Sequence, residues 1–562
     1  MPHNMKKQDT LQIIPLGGVG EIGKNMFVVK YGEEILVLDA GLAFPEDEML
    51  GIDIVIPDIS YLVENKEWVK GIILTHGHED HIGAMPYVLS DLPDVPVWGT
   101  KLTLGMLKAK FTEFPQFDDL ELHEIHPRDR LEITPSLKLE FFRTNHSIPD
   151  SVGVIIKTPS GIVVYTSDFK FDQTPVSGLV TDYNQLAKLG RQGVLVMLSD
   201  STNADLPGYT PSEKEVGETL DDIFRVAESR IVIATFASNI HRIQQVVDAA
   251  VRYDRKMAIT GRSIINSTRI AMELGYLHVP EGFLVELEDL EKMPREKTAV
   301  LMTGSQGEPM SALSRISNCE HRDMGIHRGD TVIISASPIP GNEKMVFRTV
   351  DNLFKLGAEV FYHQFSGVHV SGHGSEEEIK MMINMVRPRY LIPVHGEYRH
   401  MMHHAKIAVK MGMPEENVFL TENGTVMEIV GKKARMLDKV AAGNILVDGL
   451  GVGDVGNAVL RDRRILSEDG IVVVTAAVEN DRLVAGPEIA TRGFVYVRES
   501  ENLLETARNS VLEYFQVIDD RKKRKDWLVL KGEIRERMSR LFREKTGRRP
   551  MIIPVIMEVD RE

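Results

Sequence analysis

Three imidazoles and an aspartate fall within six positions, His76-Gly77-His78-Glu79-Asp80-His81, directly after Thr75 and the apolar run Gly71-Ile72-Ile73-Leu74. The run calls for a strand that ends near residue 74 and an extended turn behind it. Imidazole nitrogen and carboxylate oxygen are the usual ligands of a catalytic zinc, and alternate positions let His76 and His78 face one metal while Asp80 and His81 face a second. A lone histidine is more often a satisfied core or surface residue; a cluster of this density at a strand end predicts a metal site.

Other ligand types stand where further strands should end. Asp39 closes Ile35-Leu36-Val37-Leu38, His146 sits in Arg143-Thr144-Asn145-His146-Ser147, and Asp168 follows Ile162-Val163-Val164-Tyr165. The histidine run together with these positions resembles the signature of the metallo-β-lactamase superfamily. The resemblance implies a first metal on His76, His78 and His146, a second on Asp80 and His81, and Asp168 as the bridge between them, with Asp39 orienting the histidine run.

A competing motif is present. Gly18-Val19-Gly20-Glu21-Ile22-Gly23 matches the dinucleotide-binding glycine pattern, with Asp39 near the place of a ribose-binding carboxylate. That pattern requires a helix after the glycines. Here Asn25-Met26-Phe27-Val28-Val29-Lys30 and Ile35-Leu36-Val37-Leu38 are β-rich and joined by Tyr31-Gly32-Glu33-Glu34, which predicts a hairpin instead.

At 562 residues the chain is long for one domain, so two to four cores are expected. A hydrophobic share of 43% with 26% charged residues is that of a globular protein in water, and no apolar run approaches the length of a membrane span. Residues 1–10 are polar, without a signal-peptide core. One cysteine, Cys319, excludes an intramolecular disulfide, agrees with a cytoplasmic location, and leaves metal binding to histidine and carboxylate. The net charge of −16 argues against a polyanionic substrate only if taken as a sum, since the local field of two divalent cations decides at the site. The basic runs at 521–525 and 548–549 read first as solvated helix faces.

Before residue 200, strand-like runs alternate with turn signals, the pattern of a β-sandwich with helices outside it. From Pro211 to Gln364 the pattern becomes helix and short buried strand in turn: 213–226, 231–234, 240–250, 257–259, 299–302 and 332–335. This βαβ alternation predicts a parallel sheet. Ligand-type residues return at Ser371-Gly372-His373-Gly374 and Ile392-Pro393-Val394-His395-Gly396-Glu397, so the parallel-sheet domain is inserted into the first.

The resemblance narrows at these positions. The inserted domain, Asp200 in Leu198-Ser199-Asp200-Ser201-Thr202-Asn203, His373 and His395 are similar to motifs A, B and C of the β-CASP branch, whose members act on nucleic acids. Residues 17–25, 51–53, 303–309, 337–341 and 369–373 resemble the bacterial ribonuclease J family within that branch, and the likeness runs from about residue 11 onward. The implied fold is α/β: a metallo-β-lactamase αββα sandwich in 1–210 and 369–440, an inserted parallel-sheet β-CASP domain in 211–368, a linker in 441–465 and a small α+β self-association domain in 466–562. In that last domain 470–478 and 551–557 read as strands, and 503–517 and 527–546 as helices.

A phosphodiester is a poor electrophile, and two metals answer both of its demands, a nucleophile at neutral pH and neutralised charge. His373, Asp200 and Asp80 are the expected catalytic residues: His373, assisted by Asp200, gives the leaving 3′-oxygen its proton, and His395 is expected to complete the second metal. The implied cofactors are two divalent ions, Zn2+ ahead of Mn2+, and a structural Ca2+ at Asp53 and Asp448. By the same resemblance Ser238, Asn239, His369, Val370, Ser371, Gly372 and His373 hold a 5′-monophosphate, although Ser238 and Asn239 read equally as a helix N-cap. The implied activity is 5′-to-3′ exonucleolytic and endonucleolytic cleavage of RNA in a cytoplasmic homodimer or tetramer, or a hetero-oligomer with a paralogue, among RNA-decay proteins and without a membrane. The alternatives are a catalytically weak subunit of an RNA-decay complex and another hydrolase of the superfamily.

Overall fold

A computed structural model of the chain describes residues 10–46, 48–112, 114, 117, 120–306, 311–338, 342–362, 366–479, 482–495, 500–521 and 527–559. Parts of the runs 303–309, 337–341 and 521–525 lie outside these described residues. The fold divides into two compact units, residues 1–44 with 54–445, and residues 45–53 with 446–562.

The first unit is built on two facing sheets. Met26–Tyr31 and Glu34–Leu38, both rich in apolar and β-branched residues, pair antiparallel through a two-residue turn in which Gly32 takes φ +60°. No helix follows the early glycines, and the dinucleotide reading fails as its context predicted. Alternation along the strands sorts side chains into two cores. Phe27, Val29, Leu36 and Leu38 of an eight-stranded sheet meet Phe141, Val154, Ile156 and Val196 of a six-stranded one. The neighbouring positions Phe142, Ile155, Val164 and Met197 turn outward beneath helices Tyr183–Gln192, Glu376–Val386 and Tyr398–Lys410.

Val194–Asp200 pairs parallel with Pro388–Val394, Asp200 opposite Val394, although the strands of another sheet lie between them in sequence. That sheet is five-stranded and wholly parallel, in the order Lys256–Thr260, Thr298–Met302, Ile231–Thr235, Thr331–Ser335, Glu359–Tyr362. Helices Glu213–Val226 and Ile240–Arg252 stand where the apolar spacing put them. After the return, Val426–Val430 completes the eight-stranded sheet against Leu11–Gly17.

Parallel pairing fixes where the ligands gather, because loops at the carboxyl ends of adjacent parallel strands share one edge. Gly161–Tyr165, Val194–Asp200 and Pro388–Val394 are three such neighbours and lead to Asp168, Asp200 and His395. Glu34–Leu38 and Val69–Leu74 are another parallel pair and lead to Asp39 and the histidine run.

In the second unit Ile471–Glu479 pairs antiparallel with Arg482–Arg492 and parallel with Met551–Glu558, and Glu501–Arg521 and Trp527–Thr546 are helical. The core joins Val472, Val474 and Ile552 to Val511, Ile534 and Phe542. The stretch expected as linker, 441–465, contains regular structure. Val447 pairs with Val452 in a hairpin, and Gly449 and Gly453 supply turn positions at φ +57° and +74°. Helix Asn457–Glu468 then begins inside the stretch expected as linker. Strand Arg482–Arg492 went unread because its side chains are mostly exposed, so it carries no apolar alternation. Among the described residues no helix is long and apolar enough to cross a membrane.

Candidate metal centre

The strand ends deliver two ligand groups that share one carboxylate. In the first, the His78 Nδ1 lies 3.1 Å from His76 Nε2 and 3.0 Å from His146 Nε2, and Asp168 Oδ2 stands 3.7 and 3.5 Å from the latter two nitrogens. In the second, His81 Nε2 lies 3.3 Å from Asp168 Oδ2 and 3.6 Å from Asp80 Oδ2, and His395 Nε2 lies 3.0 Å from Asp80 Oδ2 and 4.0 Å from Asp168 Oδ2. Each group offers ligand atoms within 4.8 Å of one another, the spread a central cation needs. Convergent nitrogens with few protons to share, and the buried Asp168 Oδ1 left without a hydrogen-bond partner, fit metal binding.

The far side of each ring is held. His81 Nδ1 donates to Asp39 Oδ2 at 2.8 Å and His146 Nδ1 to the Gly372 carbonyl at 2.8 Å, so both present Nε2 to the centre. The fully buried Asp39 also accepts from the Thr75 N–H, the Thr75 hydroxyl and the Tyr165 hydroxyl at 2.8, 3.0 and 2.9 Å. It therefore holds Thr75 and the His81 ring in place. Close approach demands glycine twice: a Cβ on Gly372 would lie 2.7 Å from the His146 ring, and one on Gly41 would meet the Asp80 carbonyl at 1.6 Å. Asp39, Ser167 and His395 take left-handed backbone at φ +60°, +53° and +52°, strain of about 1–3 kcal/mol each that clusters at this one edge.

The two groups differ in charge. Burial, reinforced by neighbouring imidazoles, keeps His76 and His146 well below the ordinary histidine range and His78 at about 4, so all three present lone pairs. At His81 burial pushes the same way, but Asp168, Asp80 and Asp39 overcome it and lift the ring to about 10. His395 is raised against burial by Asp168, Asp200 and Asp80.

Beside the second group, His373 Nδ1 lies 2.8 Å from Asp200 Oδ2, and burial is again outweighed by Asp200 and Asp168, which raise the ring. Asp168, Asp200, His373 and His395 also stand close enough to hold an ion. The loop carrying His373 is tied internally: Ser371 Oγ accepts from Asn203 Nδ2 and from the His373 N–H, and the His373 carbonyl accepts from Thr210 at 2.7 Å.

Of the expected phosphate-binding residues, Asn239 is occupied as the N-cap of helix Ile240–Arg252, its Oδ1 accepting the Arg242 N–H at 3.1 Å. Ser238 is half-buried beside it, as are His369 and Val370 in the other segment. Arg242 links the two, donating to the Val368 carbonyl and to Ser335 while it pairs with Glu213. Asp53 and Asp448 meet other partners. Asp53 Oδ2 accepts the Gly449 N–H at 2.8 Å, and Asp448 pairs with Arg463, which a calcium ion would have to displace.

Several residues at the centre escaped the reading of single positions. Asn25 Nδ2 lies 3.1 Å from His81 Nε2, within a run already singled out at 17–25. Glu378, fully buried, accepts from the N–H groups of Phe171, Thr210 and Ser375 and so fastens three active-edge loops. Its signal was the capping box Ser375-x-x-Glu378.

Four family profiles match: the metallo-beta-lactamase superfamily over residues 19–233, the ribonuclease J beta-CASP domain over 228–353, the Zn-dependent metallo-hydrolase RNA specificity domain over 363–420, and the ribonuclease J C-terminal domain over 458–559. The chain is 50% identical to Ribonuclease J2 of Bacillus subtilis (strain 168), covering 99% of this chain and 100% of that one. It is 45% identical to Ribonuclease J 2 of Staphylococcus aureus (strain MRSA252), covering 99% of each. A solved protein of unknown function from Enterococcus faecalis V583 shares the fold over 75% of this chain and 100% of its own, with TM-score 0.54 at 15% identity.

Proposed function

Because the chain belongs to the ribonuclease J family, a metal-dependent ribonuclease with metallo-β-lactamase, β-CASP and C-terminal domains, we propose that it degrades 5′-monophosphorylated RNA from the 5′ end and also cuts internally. The observation that carries this is the Asp168 carboxylate shared between three neutral histidines and the Asp80, His81, His395 group, in a chain half identical to a ribonuclease over its whole length. RNA maturation and mRNA decay in the cytoplasm are the setting this activity serves. The histidine and carboxylate donors suit Zn2+ first and Mn2+ second.

When bound, two divalent cations supply a nucleophile at neutral pH and neutralise charge on the scissile phosphate. The chain's own groups do the rest. His76, His78 and His146 bring uncharged nitrogens, Asp168 spans both groups, and Asp80, His81 and His395 complete the second. Asp200 receives His373 Nδ1–H, so Nε2 is the nitrogen left to donate to the leaving 3′-oxygen. The Ser371 hydroxyl accepts two N–H donors and keeps its own proton to give to a 5′-phosphate. Ser238 adds a second hydroxyl beside the helix N-terminus, where anions are favoured.

We assign the insertion to 211–368 and self-association, as a homodimer or tetramer or with a paralogue, to the C-terminal domain. The functional test is a 5′-labelled monophosphate RNA beside its triphosphate and hydroxyl forms. Mononucleotide release fastest from the monophosphate is expected. Equal rates from all three ends would remove the 5′-end reading, and no cleavage of any would remove the nuclease.

A further inference from the structure

Between His395 and Asp200 stands a hydroxyl that neither metal binding nor proton transfer has used. Thr202 Oγ1 lies 2.8 Å from Asp200 Oδ1, 2.5 Å from His395 Nδ1 and 2.9 Å from the His395 carbonyl. We propose that Thr202 is a positioning residue that joins the second metal's histidine to the proton-delivering pair, so that one hydroxyl governs both. This rests on the assignments of His395 and His373 made above.

The proton count supports a single arrangement. A hydroxyl has one proton and two lone pairs. His395 turns Nε2 toward Asp80, at 3.0 Å, and that nitrogen can hold a cation only if Nδ1 carries the ring proton. Nδ1–H then donates to Thr202 Oγ1. The Thr202 proton is left to donate onward, and of its two acceptors the Asp200 carboxylate is charged and makes the stronger bond. Asp200 Oδ1 thereby collects the Thr202 hydroxyl and the Thr202 N–H, at 2.8 and 2.9 Å. Its other oxygen, Oδ2, is aimed at His373 Nδ1.

The backbone narrows the freedom further. His395 sits at φ +52°, its N–H donates to the Gly18 carbonyl at 2.7 Å, and its ring stacks on His373 with centroids 5.2 Å apart. With main chain and stacking partner set, the remaining freedom is rotation of the imidazole and of the Asp200 carboxylate. Thr202 restrains both. Its loss would let the ring swing Nδ1 to other acceptors and would release Oδ1, weakening a metal and loosening the acid together.

The test compares Thr202→Val, which keeps the shape and removes the hydroxyl, with Thr202→Ser, which keeps the hydroxyl. Zinc affinity is read by chelator competition on the full chain, and kcat and KM on a long 5′-monophosphate RNA. Thr202→Val is expected to bind the weaker of two zinc ions about 10–100-fold less tightly, the range for lost support of a ligand, and to lose kcat without a matching rise in KM. Thr202→Ser is expected to restore both. Parent-like zinc binding in Thr202→Val, a kcat loss without a metal loss, or a serine variant as weak as the valine would overturn the proposal. Should the valine variant fail to fold by thermal melting, Thr202→Ala, which cannot clash, is read in the same way. The metal titration involves no RNA, so failure of the parent to cleave RNA would sink the functional reading and not this one.

Discussion

The two ligand groups meet at Asp168 yet are opposite in kind. His76, His78 and His146 are kept neutral by burial and by one another, whereas His81 and His395 are drawn toward the protonated form by surrounding carboxylates. The first group is a cradle of lone pairs waiting for charge. The second has negative charge to balance, and without a cation it balances it with protons. The difference teaches that clustering of ligand types sets where a metal goes, while the local ratio of carboxylate to imidazole sets what must leave when it arrives.

The largest effect expected is at the shared carboxylate. Asp168→Ala should abolish turnover and lower occupancy of both ions in elemental analysis, whereas His76→Ala should also abolish turnover but strip chiefly the first. Circular dichroism should report an intact fold in each. If Asp168→Ala kept two ions, the groups would be independent and the comparison would break. Active parent protein holding no metal would break it outright.

Next in size is the boundary between second group and acid. His373→Ala should keep both metals and lose roughly 10²-fold or more in rate on RNA, while an activated phosphodiester with a good leaving group is spared. His395→Ala should weaken one metal and slow both substrates alike. The proximity of Asp168, Asp200, His373 and His395 makes this discriminating: loss of a metal from His373→Ala would move that histidine into the ligand set and leave Asp200 as the next candidate acid.

Much of this centre was legible because it is local. The histidine run occupies six positions, Asp39 and His395 directly follow an apolar strand, and Asp168 stands three residues past another. Four strands of the five-stranded parallel sheet were legible for the same reason, since buried parallel strands are continuous apolar runs, whereas strand Glu359–Tyr362 and helices Arg262–Leu274 and Glu343–Lys355 went unread. What stayed hidden is what the tertiary fold supplies. Thr202 touches His395 and Glu378 fastens Phe171 across large separations in sequence, and nothing in a hydroxyl or a glutamate marks its distant partner. Arg482–Arg492 stayed hidden for the converse reason, a strand whose exposed side chains carry no pattern.

A smaller effect, on selectivity instead of rate, concerns the loop from His369 to Gly372. Ser371→Asp would set a carboxylate beside the proposed phosphate position, so release of mononucleotides should fall much more than internal cleavage. Both activities measured on one RNA, with 5′-monophosphate or with 5′-hydroxyl, give the ratio. Equal loss of both would place Ser371 with the metal groups, through its bonds to Asn203 and His373, and not with the 5′ end.

The smallest effect addresses the charge difference directly. At pH 7 the first group carries no cationic imidazole to deprotonate, because its histidines lie below the ordinary range. His81, lifted to about 10, is protonated at that pH in the metal-free chain, and the raised His395 is as well. A cation on their Nε2 atoms must displace those protons. Titrating zinc into metal-free protein in buffers of different ionisation enthalpy should therefore show about two protons released with one ion and about none with the other, by the ligand count. The sign follows: affinity of the acid-rich group should rise with pH until it passes the His81 value, while that of the three-histidine group should be nearly flat from pH 6 to 8. Equal proton release by both ions would mean that the carboxylates do not keep His81 and His395 protonated. The contrast between the groups would then reduce to one of ligand type alone.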